Sequence, residues 1–201
     1  MERKPGRPRA LTVDMIAQAA LDDGIATFSM PSIARRLGVA HSGLYRYVAD
    51  RDDLLVEALD RAVLGVTWPS ATLEWEQLLR AIGDTVWELC EKHPGLDRAA
   101  LSAPKSPRAI EGHVEKYIQS IQGQRFLLED AAVAVEFVIT LALTASAEMQ
   151  RLHAIEARRD AAPQPPILKA YDTEEVWRGH GLYDRKLEII LAGLAQRRLP
   201  A

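Results

Sequence analysis

The sequence predicts an all-α protein: an N-terminal three-helix helix-turn-helix domain followed by a C-terminal helical domain. Three observations predict it. Apolar residues recur at helical spacing through most of the 201 residues, and no run of useful length alternates with period two. Gly and Pro fall between the periodic segments, where helices stop and start. Basic residues gather at one end. Residues 1–51 hold eight Lys and Arg against five acids, a net +3, which leaves −6 on the other 150 residues. A basic head on an acidic body points to a polyanion met by the head alone.

Composition narrows the class. Hydrophobic residues make up 48% of the chain, a globular rather than disordered value. The single cysteine, Cys90, excludes an internal disulfide and a multi-cysteine metal site, and fits a reduced, cytoplasmic setting. The basic start MERKPGRPRALT leads into a polar run with Asp14, so no signal peptide is expected. The most apolar stretch, Ala131 to Ala147, is interrupted by Glu136 and ends at Glu148. It is short for a membrane span and reads as a buried helix, so no membrane is expected as a partner. There is no G-x-S-x-G, no phosphate-binding P-loop and no GxGxxG after a strand, so no enzyme is expected. No pair of side chains stands at metal-ligand spacing, and neither metal nor cofactor is expected.

The elements follow in order. Residues 1–10 form a Pro/Gly/Arg arm without periodicity. Thr12 caps a first helix with Val13, Ile16, Ala17, Ala20 and Leu21 on one face, and Gly24 stops it. Ser29 caps a second, with Pro31 in its first turn and Ile33, Ala34 and Leu37 inward. Gly38 ends it. A third helix is expected from about His41 to Val48. Asp50 caps a fourth, whose inner stripe is Leu54, Leu55, Ala58, Leu59 and Ala62. Trp68-Pro69-Ser70 is a break, so residues 11–66 are expected as one domain and 67–201 as another. In the latter, helices are expected over Leu73–Glu91, Pro107–Gln122, Glu129–Arg158 and Glu174–Arg197. His93-Pro94-Gly95 ends the first of these, a turn covers Ala103–Pro107, a Pro-rich loop covers Ala161–Pro166, and the last helix is bent near Gly179 and Gly181.

The order helix, helix, Gly-turn, short helix is that of a helix-turn-helix, which lays its second helix in the major groove of DNA. The tight turn needs a Gly at positive φ, and Gly38 supplies it. Val39 packs between the helices. Leu44 and Val48, at i and i+4, anchor the reading helix. His41, Ser42, Tyr45, Arg46 and Tyr47 remain to offer hydrogen bonds to bases and phosphates. Gly43 removes a side chain where the helix comes closest to DNA. An ordinary αα-turn is the competing reading, and the basic arm beside this one argues against it.

Residues 12–59 resemble the DNA-binding domain of the tetracycline-repressor (TetR) family of bacterial transcription regulators. The segment "MPSIARRLGVAHSGLYRYVADRDDLLVEAL" carries the IAxxLGV, LYxxV and (K/R)xxLL elements in order. The resemblance implies a homodimer that binds a palindromic operator and releases it when a small molecule enters the C-terminal domain. It implies reading-helix contacts from His41, Ser42, Gly43, Tyr45 and Tyr47, with both tyrosines on the DNA backbone. Arg51, where Lys is common, is implied to meet phosphate. Met30-Pro31 departs from the family pattern, in which an Arg here can read a base. The arm RKPGRPR resembles extensions that enter the minor groove through groups such as Arg3, Lys4, Arg7 and Arg9; a solvated tail is the alternative. Ser29 completes the candidate DNA contacts.

The stretch "GLYDRKLEIILAGLAQRR" is similar to the final helix of the subgroup nearest the tetracycline repressor. That similarity implies dimerisation through the helices at 129–158 and 174–197. The Ala-rich helix permits close approach through Ala131, Ala132, Ala134, Ala142, Ala145 and Ala147. A pocket for an effector of unknown identity is expected in the C-terminal domain, with Trp87, His113, Tyr117, Phe137, Thr140, Thr144 and Trp177 as candidates, and Leu101 and Phe126 beside them. Plain core is the competing reading for each. Cys90 is expected as buried packing rather than a redox sensor. A DNA-binding architectural module without an inducer is the alternative function, and repressor and activator are not separable by sequence.

Overall fold

Thr12, Ser29 and Asp50 each sit in extended backbone with a side-chain oxygen turned onto the third amide of the helix that follows. These caps satisfy amides that a helix start leaves bare. They set the beginnings of α1 (Val13–Gly24), α2 (Met30–Leu37) and α4 (Arg51–Leu64), with α3 (His41–Leu44) between the last two. The computed structural model describes residues 10–156, 180 and 182–200. Arg3, Lys4, Arg7, Arg9, Trp177, the Pro-rich loop and the bend at Gly179 and Gly181 lie outside the described residues. Five further helices follow: α5 (Trp75–Lys92), α6 (Leu96–Ser102), α7 (Arg108–Gly123), α8 (Leu128–Glu156) and α9 (Tyr183–Ala195). Among the described residues there is no strand, and the architecture is all-α with an N-terminal helix-turn-helix.

Two expectations change. The helix expected over His41–Val48 is helical only to Leu44. Tyr47 N–H bonds Leu44 O at 2.9 Å, and Val48 N–H bonds the same oxygen at 3.2 Å, so the chain closes in a tight turn. No side chain caps Ala40, and Gly43 lowers helical preference inside so short a segment. Leu96–Ser102, for which no helix was expected, forms α6. Gly95 at φ +88 turns the chain out of α5, and Leu96 and Ala99 give α6 a buried side.

Packing crosses the Trp68-Pro69-Ser70 break. Ile16, Ala20, Phe28, Ile33, Leu44, Leu54, Ala58 and Leu59 form the head core, and Leu89, Cys90, Leu96 and Ala99 from α5 and α6 belong to the same cluster. A second cluster holds Leu78, Ile82, Tyr117, Ile121, Val135, Val138, Ala142 and Leu187. Trp68 packs against both, and its indole N–H donates to Val63 O at 3.0 Å. Asp60 of α4 accepts from Ala109 N–H at 2.8 Å and so caps the start of α7. Gln124 accepts from Trp75 N–H at 2.7 Å and closes the start of α5.

By length and composition α8 could cross a membrane, with a mean hydropathy of 1.6 over its most apolar window. One of its faces is core: Ala131, Val135, Val138, Ala142, Ala145 and Met149 are buried. Lys186–Glu148 at 3.0 Å and Arg80–Glu188 at 2.7 Å tie α9 to α8 and α5. These exposed pairs orient α9 more than they stabilise it.

The packing of α9 on α5 depends on Gly83. A Cβ there would strike the Tyr183 hydroxyl and come within 3.1 Å of Val138 Cγ1. That hydroxyl is buried and has no hydrogen-bond partner among the described residues. Gly83→Ala is therefore expected to cost about 1–3 kcal/mol, the usual range for overpacking. Tyr183→Phe is expected to be neutral or stabilising, and to recover part of the loss in the double variant. Urea unfolding checks this: a Gly83→Ala midpoint equal to the parent's would contradict the close approach.

Candidate nucleic-acid interface and ligand cavity

Ser29 and Ser32 make the start of α2 rigid. Ser29 Oγ accepts from Ser32 N–H at 3.2 Å, and Ser32 Oγ accepts from Ser29 N–H at 3.0 Å. Ser32 Oγ also donates to Asp23 Oδ2 at 2.6 Å, which joins α1 to α2. Gly38 ends α2 at φ 65, ψ 30, and Val39 N–H bonds Ala34 O at 3.0 Å. A Cβ at Gly38 would meet nothing within 4 Å, so backbone conformation rather than crowding requires the glycine. Beyond the turn, Leu44 and Val48 are buried in the head core and fix the orientation of α3. Asp50 accepts from Asp53 N–H at 2.8 Å while Asp53 accepts from Ala49 N–H at 3.0 Å, which locks the exit into α4.

The outward side of this unit presents His41, Ser42, Tyr45 and Arg46, all exposed. Tyr45 Oη and His41 Nε2 lie 3.3 Å apart, with the rings edge to face, so the two side chains form one surface feature. A Cβ on Gly43 would meet open space. Tyr47 is half-buried and packs against the head core, away from the exposed group. Ser29 spends its hydroxyl on the cap.

Arg51 turns back onto the head itself. Its Nε donates to Phe28 O at 3.2 Å and its Nη2 to Ala26 O at 3.4 Å, and the guanidinium lies 4.7 Å over the Phe28 ring. The side chain is thus drawn against the α1–α2 connection.

Behind the head is a cavity of about 340 Å³. Leu59 and Val63 of α4, Val86 and Leu89 of α5, Leu96 and Ala100 of α6, Ile110 of α7, and Ile139 and Leu143 of α8 line it, with Trp68, Lys105 and Pro107. The expected pocket residues do not converge there. Phe137 is 46% exposed, and Thr140 and Thr144 are exposed beside it, because that side of α8 turns away from the core. Their hydroxyls donate to Glu136 Oε1 and Thr140 O. Trp87 is buried, donates to Glu91 Oε1 at 2.9 Å and packs on His180 and Tyr183. Tyr117 is buried, and its hydroxyl donates to Pro69 O. Phe126 packs edge-on against Trp75, and Leu101 is half exposed. His113 stacks on Trp68 at 5.2 Å and so approaches the cavity from behind; burial and Lys116 hold its pKa below the usual imidazole range. Ile139 and Leu143, each one residue before an expected threonine, are the wall that sequence reasoning missed.

With this geometry in view, comparison with known proteins is informative. No family model matches the chain. The repressor DrrR1 of Streptomyces coeruleorubidus, a helix-turn-helix type transcriptional repressor, is 29% identical over 166 residues, 78% of this chain and 60% of that protein. The chain thus spans less than two thirds of that relative. The TetR-family protein ActR of Streptomyces coelicolor, solved with actinorhodin, is 25% identical with a TM-score of 0.66, covering 94% of this chain and 98% of that one. The chain is thus similar to TetR-family regulators in fold over nearly its whole length. A structure from Streptomyces coelicolor A3(2) described as a possible TetR family transcriptional regulator shares the fold at a TM-score of 0.76 and 21% identity, over 92% of this chain and 100% of that one. In this shared fold, α1–α3 with the start of α4 form the helix-turn-helix unit, and the cavity lies between that unit and the C-terminal helices.

Cys90 lies wholly buried in the head core. Burial, with the charge of Asp97, pushes its thiol up to about 12. The nucleophilic thiolate is therefore scarce at any pH below that value. Iodoacetamide at pH 8 is expected to leave the native protein unmodified and to alkylate Cys90 only in denaturant. Mass spectrometry decides, and rapid labelling of the native protein would contradict this burial.

Proposed function

We propose that the chain is a ligand-responsive DNA-binding regulator, a repressor that releases a palindromic operator when a small molecule binds its C-terminal domain. One observation carries the reading. Leu59, Leu89 and Leu96 belong to the head core and also line the 340 Å³ cavity. A guest in the cavity therefore presses on residues that hold the reading unit in place. Asp60, beside Leu59, relays the same displacement to the start of α7. Coupling of this kind needs two sites and an element shared between them, and α4 is that element. The repressors among the relatives support the sign of control, and ActR with actinorhodin supports an effector in this fold.

In this reading His41, Ser42, Tyr45 and Arg46 meet the DNA, with Gly43 allowing close approach. Arg3, Lys4, Arg7 and Arg9 follow the minor groove. Residues 11–66 read DNA, and residues 67–201 hold the effector and the dimer contact. The chain works as a cytoplasmic homodimer through the outer faces of α8 and α9, where Val133, Phe137 and Ile189 are exposed. Reading helices of such a dimer must stand roughly 34–36 Å apart or a multiple of that. An architectural module without an inducer is the second reading, and the open apolar cavity argues for the regulator.

Two outcomes test the proposal. Tyr45→Ala is expected to weaken binding of a selected operator by about tenfold or more, near 1.4 kcal/mol, without loss of helical content. An unchanged footprint would remove α3 as the reading element. Ala103 also lines the cavity and packs against the head core, so Ala103→Phe is expected to act as a built-in guest, weakening operator binding without effector and removing the response to it. A normal response from this variant would place the effector elsewhere.

A further inference from the structure

A second cleft, of about 300 Å³, opens between the α1–α2 connection and α6. It lies outside the apolar cavity and has a different chemistry. Arg51 stands on the head side and Arg98 on the α6 side, with the Thr27 and Ser102 hydroxyls beside them. No acid is among its lining residues. The two guanidiniums flank Ala26. Arg51 Nη2 donates to Ala26 O, while Arg98 Nη2 comes within 3.6 Å of the position a Gly95 Cβ would take, and that Cβ would lie 2.8 Å from Ala26 Cβ.

The charges are poorly matched within the protein. Among the described residues no acid pairs with Arg98. Arg51 has only Asp52 at 3.7 Å, at an exposed rim where such a pair contributes little. Asp97 precedes Arg98 but is buried and does not line the cleft. Two like charges on facing walls repel until an anion lies between them. Guanidinium forks match the oxygens of phosphate and carboxylate. Thr27 Oγ1 donates to Gly24 O at 3.4 Å and Ser102 Oγ to Ala99 O at 3.2 Å, so the guanidiniums carry the recognition, and a phosphate offers oxygens to both at once where a carboxylate's two oxygens serve one fork.

We propose that this cleft binds a phosphate group, gripped between Arg51 and Arg98. Free phosphate and a phosphomonoester share that chemistry, and the openness of the cleft leaves room for an ester's organic part outside. Bound phosphate would join the first connection of the head to α6, which also walls the apolar cavity through Leu96 and Ala100. The binding does not depend on the DNA reading, and its test uses no DNA.

The test is isothermal titration of the full chain with inorganic phosphate at fixed ionic strength, so that general screening stays constant. Saturable binding at one site per chain is expected, at least tenfold weaker in Arg98→Gln, since the Arg98 side chain makes no hydrogen bond or ion pair among the described residues. Arg51→Lys, which keeps the charge and loses the fork, is expected to weaken it as well. Glycerol 3-phosphate binding as tightly as phosphate would identify the free ion as sufficient, and tighter binding would identify an ester; either result upholds the site. Absence of saturable binding, equal affinity in Arg98→Gln, or acetate binding as tightly as phosphate would overturn it.

Discussion

The head of this protein does not close its own core. Leu89 and Cys90 at the end of α5, and Leu96 and Ala99 on α6, complete the cluster built around Leu44, Leu54 and Leu59. Fully burying one large apolar side chain contributes about 1.5–3 kcal/mol, and whole domains are stable by only about 5–15. The leucines borrowed from the C-terminal helices are thus a large share of what keeps the reading unit ordered. Whatever moves α5 or α6 reaches α3 through the core cluster they share.

The reading unit shows why that support is needed. Four helical residues without a side-chain cap cannot hold a helix in water, because nucleation costs more than one turn returns. Two buried anchors, Leu44 and Val48, and the paired Asp50–Asp53 caps do so instead. Order in α3 is a tertiary property delivered by neighbours. Its outward residues are therefore free to be chosen for recognition, and the His41–Tyr45 pair shows that even these are partly organised before any partner arrives.

Two concave sites flank the shared core, and their chemistry differs. The larger is walled by leucine, isoleucine, valine and tryptophan and suits an apolar guest. The other sets two arginines against each other beside two hydroxyls. Both touch α6, the seven-residue helix that sequence reasoning passed over. Its periodic signal was too short to register, and the Gly95 turn that launches it reads as a plain break after Pro94.

Local chemistry was legible in the sequence. Caps at Thr12, Ser29 and Asp50, the left-handed Gly38, and the stripes of α1, α2, α4 and α5 depend on neighbours within a few residues, and the sequence by itself determined them. Which face of α8 meets a cavity was not legible: Thr140 and Thr144 stand one residue after Ile139 and Leu143, a rotation of about 100° that only packing decides. Arg51 is likewise ambiguous at the start of α4 until Phe28 and the Ala26 carbonyl, more than twenty residues earlier, are brought beside it. Tertiary structure alone decided the shared core, the two clefts and the direction of that guanidinium, because each depends on side chains that the chain order keeps far apart.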